Sequence, residues 1–190
     1  QGELIAMSNL IEQNVEVVSD SRSLAEKLNE VVGSLKQKAG NPAVAEFSAA
    51  TELVDGFQTK ASIRQFTVDV DEPPALFGTD TGPNPVELVL GALGTCQEIV
   101  YAAYAAVLDI PIDSLSINVN GRLDLRGFLN VAEVPAGFAD VEYEVDIKSP
   151  ASSERIRQLA ELVNAHCPVL DTIQRPVPVS FSVVHNDVSI

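Results

Sequence analysis

The sequence has no tryptophan, a single methionine, two cysteines and only 12 basic residues in 190. Each shortage excludes something. Against those 12 stand 27 acidic residues, and the formal charge of −15 repels phosphate backbones and anionic lipid surfaces alike. Neither nucleic acid nor a membrane is therefore an expected partner. Two cysteines cannot build the disulfide framework on which small secreted domains rely, so Cys96 and Cys167 are either inert core or chemistry. No cationic segment followed by a short apolar core opens the chain, and a cytoplasmic protein is the expectation. Met7 is expected to be the native start, with residues 1–6 left over from expression. There is no G-x-S-x-G elbow, phosphate-cradling glycine loop or dinucleotide fingerprint, so no cofactor is expected. Cys96, Cys167, His166 and His185 are scattered singly, without the short local spacings of a zinc site, so no metal is expected either.

What is present is apolar. At 46% hydrophobic and 21% charged, the chain can bury one sizeable core. It divides into residues 1–6, an N-terminal helical extension at 7–42 and a main domain at 43–190. In the extension Ser23 and Glu26 have capping-box spacing, Leu24, Leu28, Val31 and Leu35 recur at helical intervals, and Gly40 with Pro42 stops the helix. From Ala43 to Val70 the pattern turns to strands, with a hairpin turn at Val54-Asp55-Gly56-Phe57 and a second strand whose Arg64, Phe66, Val68 and Val70 share one face. A Pro-, Gly- and Asp-rich loop from Asp71 to Pro85 then leads into the most apolar segment, Leu88 to Leu108. That segment approaches the length of a membrane span. Gln97 and Glu98 at its middle, and acidic instead of basic flanks, predict a buried central helix instead. Alternation at Leu115–Val119 and Val141–Ile147 predicts antiparallel strands with one wet face. Ser152 or Ser153 caps a helix whose stripe Ile156, Leu159, Val163 leads on to Cys167, and Val177, Val179, Phe181 and Val183 predict a final strand.

Four residues remain as candidates for chemistry: Cys96, Cys167, Arg64 and Glu87. The helical neighbours of Cys96 are Ala92, Leu93, Ile99, Val100 and Ala103, and such apolar surroundings raise a thiol pKa, so a reactive Cys96 needs a nearby cation. Arg64, on the expected inward face of its strand, is the best candidate, and a buried arginine needs a carboxylate. Glu87 can supply one, but nine positions before Cys96 it is half a helical turn out of phase. Either the helix bends near Gly91 or Gly94, or two helices pair across their small-residue face and the site is shared by two subunits; the second is favoured. His166 is a weaker candidate.

The runs Asp71-Glu72-Pro73-Pro74, Gly78-Thr79-Asp80-Thr81-Gly82-Pro83-Asn84-Pro85-Val86-Glu87-Leu88 and Ala92-Leu93-Gly94-Thr95-Cys96 together resemble the OsmC/Ohr family. Asp124-Leu125-Arg126-Gly127-Phe128-Leu129 and His166-Cys167-Pro168-Val169 extend the resemblance over roughly residues 48–183. It implies an α+β fold in which curved antiparallel sheets wrap central helices in an intertwined homodimer. In peroxidase members the first cysteine, here Cys96, attacks the O–O bond of an organic hydroperoxide and becomes a sulfenic acid. The second, here Cys167, captures it as a disulfide that a thiol or dithiol reduces. Arg64 would stabilise the thiolate and Glu87 would hold the arginine. Two other readings stay open on the same fold, a module that binds a small apolar ligand and a redox-controlled structural dimer.

Overall fold

The structure is a computed structural model that describes residues 23–38 and 40–190. The segment 1–6 and the start of the N-terminal extension lie outside the described residues. The chain divides into two compact units, one of the described residues through Val89 with Ala105–Ile110, the other of Leu90–Tyr104 with Pro111–Ile190.

In the first unit the extension forms helix α1, Leu24–Gln37. Its entry is the expected capping box: the Ser23 N–H donates to Glu26 Oε2 at 2.6 Å and the Glu26 N–H to Ser23 Oγ at 3.2 Å. Leu24, Val31 and Leu35 on its apolar stripe are exposed. An antiparallel sheet of β1 (Ala50–Asp55), β2 (Gln58–Ile63) and β3 (Phe66–Val70) follows. Asp55 pairs with Gln58 across Gly56-Phe57, and Gly56 supplies the positive φ of +55° that this tight turn requires. The expected single second strand is in fact two, joined by a further two-residue turn at Arg64-Gln65 between the paired Ile63 and Phe66.

The loop after β3 is organised by Asp71, which is buried. Its Oδ2 accepts from the backbone N–H and hydroxyl of Thr79, at 3.0 and 2.6 Å, and from those of Thr81, at 3.3 and 3.1 Å. Oδ1 accepts from the Glu72 N–H at 2.8 Å. These donors, the Thr79 hydroxyl first, hold the carboxyl well below the usual carboxylate range. Gly78 packs so closely on the Glu72 backbone that no Cβ fits. Helix α2, Pro85–Val107, then begins with proline at its first position and contributes to both units.

The second unit is built on a ladder of β4 (Ser114–Leu123) and β5 (Phe138–Lys148), antiparallel from Ser114↔Lys148 to Leu123↔Phe138. Every second side chain of β4 turns inward. The middle of α2 lies close on this ladder, since a Cβ on Gly94 would stand 3.3 Å from the Val119 side chain. The two strands are joined through a short helix, α3 (Leu125–Phe128), capped by Asp124. After β5, Ser152 caps helix α4, Ser153–His166, whose Leu159 and Val163 are fully buried. Helix α5, Pro168–Gln174, starts immediately after Cys167.

Three further expectations change. α2 is long and apolar enough to cross a membrane by length and composition, yet in the single chain only part of it is buried, with Ile99 69% exposed. The predicted final strand at 177–183 does not form; Val179 and Phe181 are 89% and 90% exposed, and only a small hairpin of β6 (Val184–His185) and β7 (Val188–Ser189) follows. The alternation there is that of a strand, but a strand needs a neighbour to satisfy its backbone, and the described chain offers none. Residues 43–49 likewise form no strand, and Phe47 is 91% exposed.

Candidate functional site

The helical stripes of α2 and α4 carry the two cysteines. Cys96 lies on α2 in the turn after Leu93, and Cys167 closes α4 four residues after Val163. Their sulfurs are 3.5 Å apart, both as free thiols. Cys167 has no solvent exposure and forms a core cluster with Leu93 and Leu170, against which Val119, Val141, Tyr143 and Val169 pack; Cys96 is half-buried at its edge. A disulfide needs about 2.0 Å between sulfurs, so a shift of about 1.5 Å would join them.

Burial pushes the Cys96 thiol above its ordinary pKa, and the Cys167 thiol beside it pushes the same way. The backbone N–H of Val169, donated to the Cys96 sulfur, pulls in the opposite direction. No sequence pattern indicated that donor, because it depends on α5 starting where it does.

Arg64 is not on an inward strand face. It occupies the first position of the Arg64-Gln65 turn with φ of +55°, it is exposed, and its guanidinium lies 5.2 Å from the centre of the Phe66 ring. The period-two reading ran through a hairpin turn that carries none of the usual turn residues. Glu87 is engaged elsewhere: its Oε2 accepts from the Asn84 N–H at 2.8 Å while Asn84 Oδ1 accepts from the Glu87 N–H at 2.9 Å. This reciprocal capping opens α2, and among the described residues Arg64 and Glu87 form no ion pair with one another. His166 is exposed and its ring meets Tyr104 at 5.8 Å.

Gln97, next to Cys96, stands out. Its side chain has no solvent exposure, and neither Nε2 nor Oε1 has a hydrogen-bond partner among the described residues. In the sequence it only marked the helix as too polar for lipid. On the adjoining ladder the Tyr143 hydroxyl donates to Asn164 Oδ1 at 2.8 Å. A cavity of about 500 Å³ lies in the loop lined by Gly127 and Asn130–Pro135, and neither cysteine lines it.

A pair of adjacent thiols, one accessible and one sealed, can pass between dithiol and disulfide. Among solved structures the fold is similar to an OsmC-like protein from Mycoplasma pneumoniae, at 23% identity over 68% of this chain and 88% of that one, with a TM-score of 0.59. It is also similar to an organic hydroperoxide resistance protein, described as a predicted redox protein, from Legionella pneumophila, at 19% identity over 69% and 92% with a TM-score of 0.54. A third is an organic hydroperoxide resistance protein from Elizabethkingia anophelis, at 16% identity over 68% and 90% with a TM-score of 0.51. At these identities the likeness establishes the α+β fold. No curated protein sequence matches the chain. The family model for OsmC-like proteins, however, matches residues 78–182, more than half of the sequence and both cysteines. The chain belongs to the OsmC-like protein family.

Proposed function

We propose that the chain is a thiol-dependent peroxidase that reduces organic hydroperoxides, acting as a cytoplasmic homodimer. The observation that carries this reading is the 3.5 Å separation of the Cys96 and Cys167 sulfurs. In the proposed cycle the Cys96 thiolate attacks the terminal oxygen of ROOH. An S–O bond forms, the O–O bond breaks, and the alkoxide leaves as ROH with a proton. The resulting sulfenic acid is attacked by Cys167, an S–S bond forms, and the hydroxyl departs as water with the thiol proton. The two electrons taken by the peroxide thus come from the two thiols, and two equivalents of external thiol, or one dithiol, restore them.

The raised pKa of Cys96 means that this cycle needs a cation at the sulfur. We assign that role to Arg64 and its support to Glu87, with the residues of a second copy completing the site. Support for a second copy comes from apolar side chains that a lone chain leaves in water, Phe47, Ile99, Val179 and Phe181 among them. Val179 and Phe181 sit in a segment without secondary structure whose alternation suits pairing to another chain.

The test is the consumption of cumene hydroperoxide by the fully reduced protein. Fast, saturable consumption that disappears in Cys96→Ser is expected; without external thiol the wild type should stop after one equivalent per chain as the Cys96–Cys167 disulfide, and Cys167→Ser after one equivalent as the Cys96 sulfenic acid. Equal rates for wild type and Cys96→Ser would refute the proposal and leave apolar-ligand binding as the better reading.

A further inference from the structure

We propose that external thiols reopen the Cys96–Cys167 disulfide by attacking the sulfur of Cys96, so that the transient mixed disulfide is carried on Cys96 and Cys167 is the leaving thiolate. The inference rests on the disulfide cycle proposed above and adds its regiochemistry. Exchange requires the incoming thiolate to approach one sulfur in line with the bond that breaks, so access to that sulfur decides which end is attacked.

The two ends are unequal here. Cys167 has no exposed surface and belongs to the Leu93–Leu170 cluster. It is also fixed at the junction of two helices, with its carbonyl accepting from the Asp171 N–H at 3.0 Å and Pro168 following at once. Reaching its sulfur would mean opening that cluster or unwinding the junction. Cys96 needs neither. It sits on a continuous helix at the edge of the same cluster and is itself only half-buried, so its sulfur is reached without opening the core.

The step balances without any further reagent. The thiolate RS⁻ forms a bond to the Cys96 sulfur, the Cys96–Cys167 bond breaks, and its electron pair leaves on Cys167, which takes up a proton from solvent or from a neighbouring thiol. A second thiolate then attacks the sulfur of R, releasing the Cys96 thiolate and RSSR.

The experiment uses the oxidised full chain mixed with excess 2-mercaptoethanol, quenched in acid after milliseconds, digested with pepsin and mapped by mass spectrometry. The mercaptoethanol adduct is expected on the peptide holding Cys96 in at least tenfold excess over the peptide holding Cys167. A predominant adduct on Cys167 would overturn this inference while leaving the peroxidase proposal intact. Oxidised protein lacking a Cys96–Cys167 bond would overturn both. A second measurement guards against adducts that migrate after the quench: in the single-cysteine variants, the aromatic disulfide DTNB should modify Cys96 at least tenfold faster than Cys167, and equal rates would again overturn the inference.

Discussion

Replacing Gln97 with methionine should make the protein more stable. The amide is fully buried on α2 with both polar atoms unpartnered among the described residues, and a buried donor or acceptor left unsatisfied costs about 1–3 kcal/mol. Methionine has nearly the same length and volume and no group to satisfy, and a volume-conserving exchange of this kind typically costs less than about 1.5 kcal/mol in repacking. The net expectation is a gain of about 1–2 kcal/mol, which for a chain of this size raises the thermal midpoint by about 2–8 °C. The assay is calorimetric or urea unfolding of the reduced wild type and variant at equal protein concentration. A lower midpoint in Gln97→Met would show that the amide has a partner in the folded protein, such as a trapped water, and would refute the reasoning. If the variant gains stability and also loses peroxide turnover at unchanged fold, the uncompensated amide is being retained for the chemistry beside it.

Three further outcomes are expected. Gly121→Ala would bring a Cβ to 2.6 Å from the Phe138 ring and 3.2 Å from Leu90, and overpacking of this kind costs about 1–3 kcal/mol, measurable as a lower urea midpoint with little change in its slope. Because the folded pKa of Asp71 lies below its ordinary value of 3.8, its contribution is complete above that pH and falls away as the solution becomes more acid; the stability gap between wild type and Asp71→Asn should therefore be constant from pH 7 to about 5 and narrow below about 4, and a gap that widens towards acid would contradict it. Since burial raises the Cys96 pKa, alkylation of Cys96 by iodoacetamide in an Arg64→Ala variant should keep rising into alkaline solution, whereas in the wild type the guanidinium proposed for the site should move that rise to lower pH; identical pH profiles would remove Arg64 from the site.

The parts of the fold that sequence alone revealed are those specified locally. The Ser23–Glu26 capping box, the Asp55-Gly56-Phe57 turn and the β4–β5 alternation each depend on residues that lie near one another in the chain. Cys167 was placed on the inner side of its helix by the stripe that runs through Leu159 and Val163, and the structure buries all three. What failed depended on distant neighbours. Arg64 reads as a strand residue because the period-two face of Arg64, Phe66, Val68 and Val70 runs across a turn, Arg64-Gln65, that has no glycine, proline or asparagine in it. Residues 177–183 carry a genuine strand pattern without a strand beside them. The burial of Gln97 and the Val169 N–H at the Cys96 sulfur exist only once helix, ladder and α5 have come together.

Cys167 is the single residue between α4 and α5, the C-cap of one and the N-cap of the other. Pulling its sulfur towards α2 would load both helices through a single α-carbon, like a pin through two hinge leaves. Amides in the last turn of α4 and the first turn of α5 would then slow their exchange with solvent together on oxidation, giving a spectroscopic reporter of redox state that needs no label and no substrate.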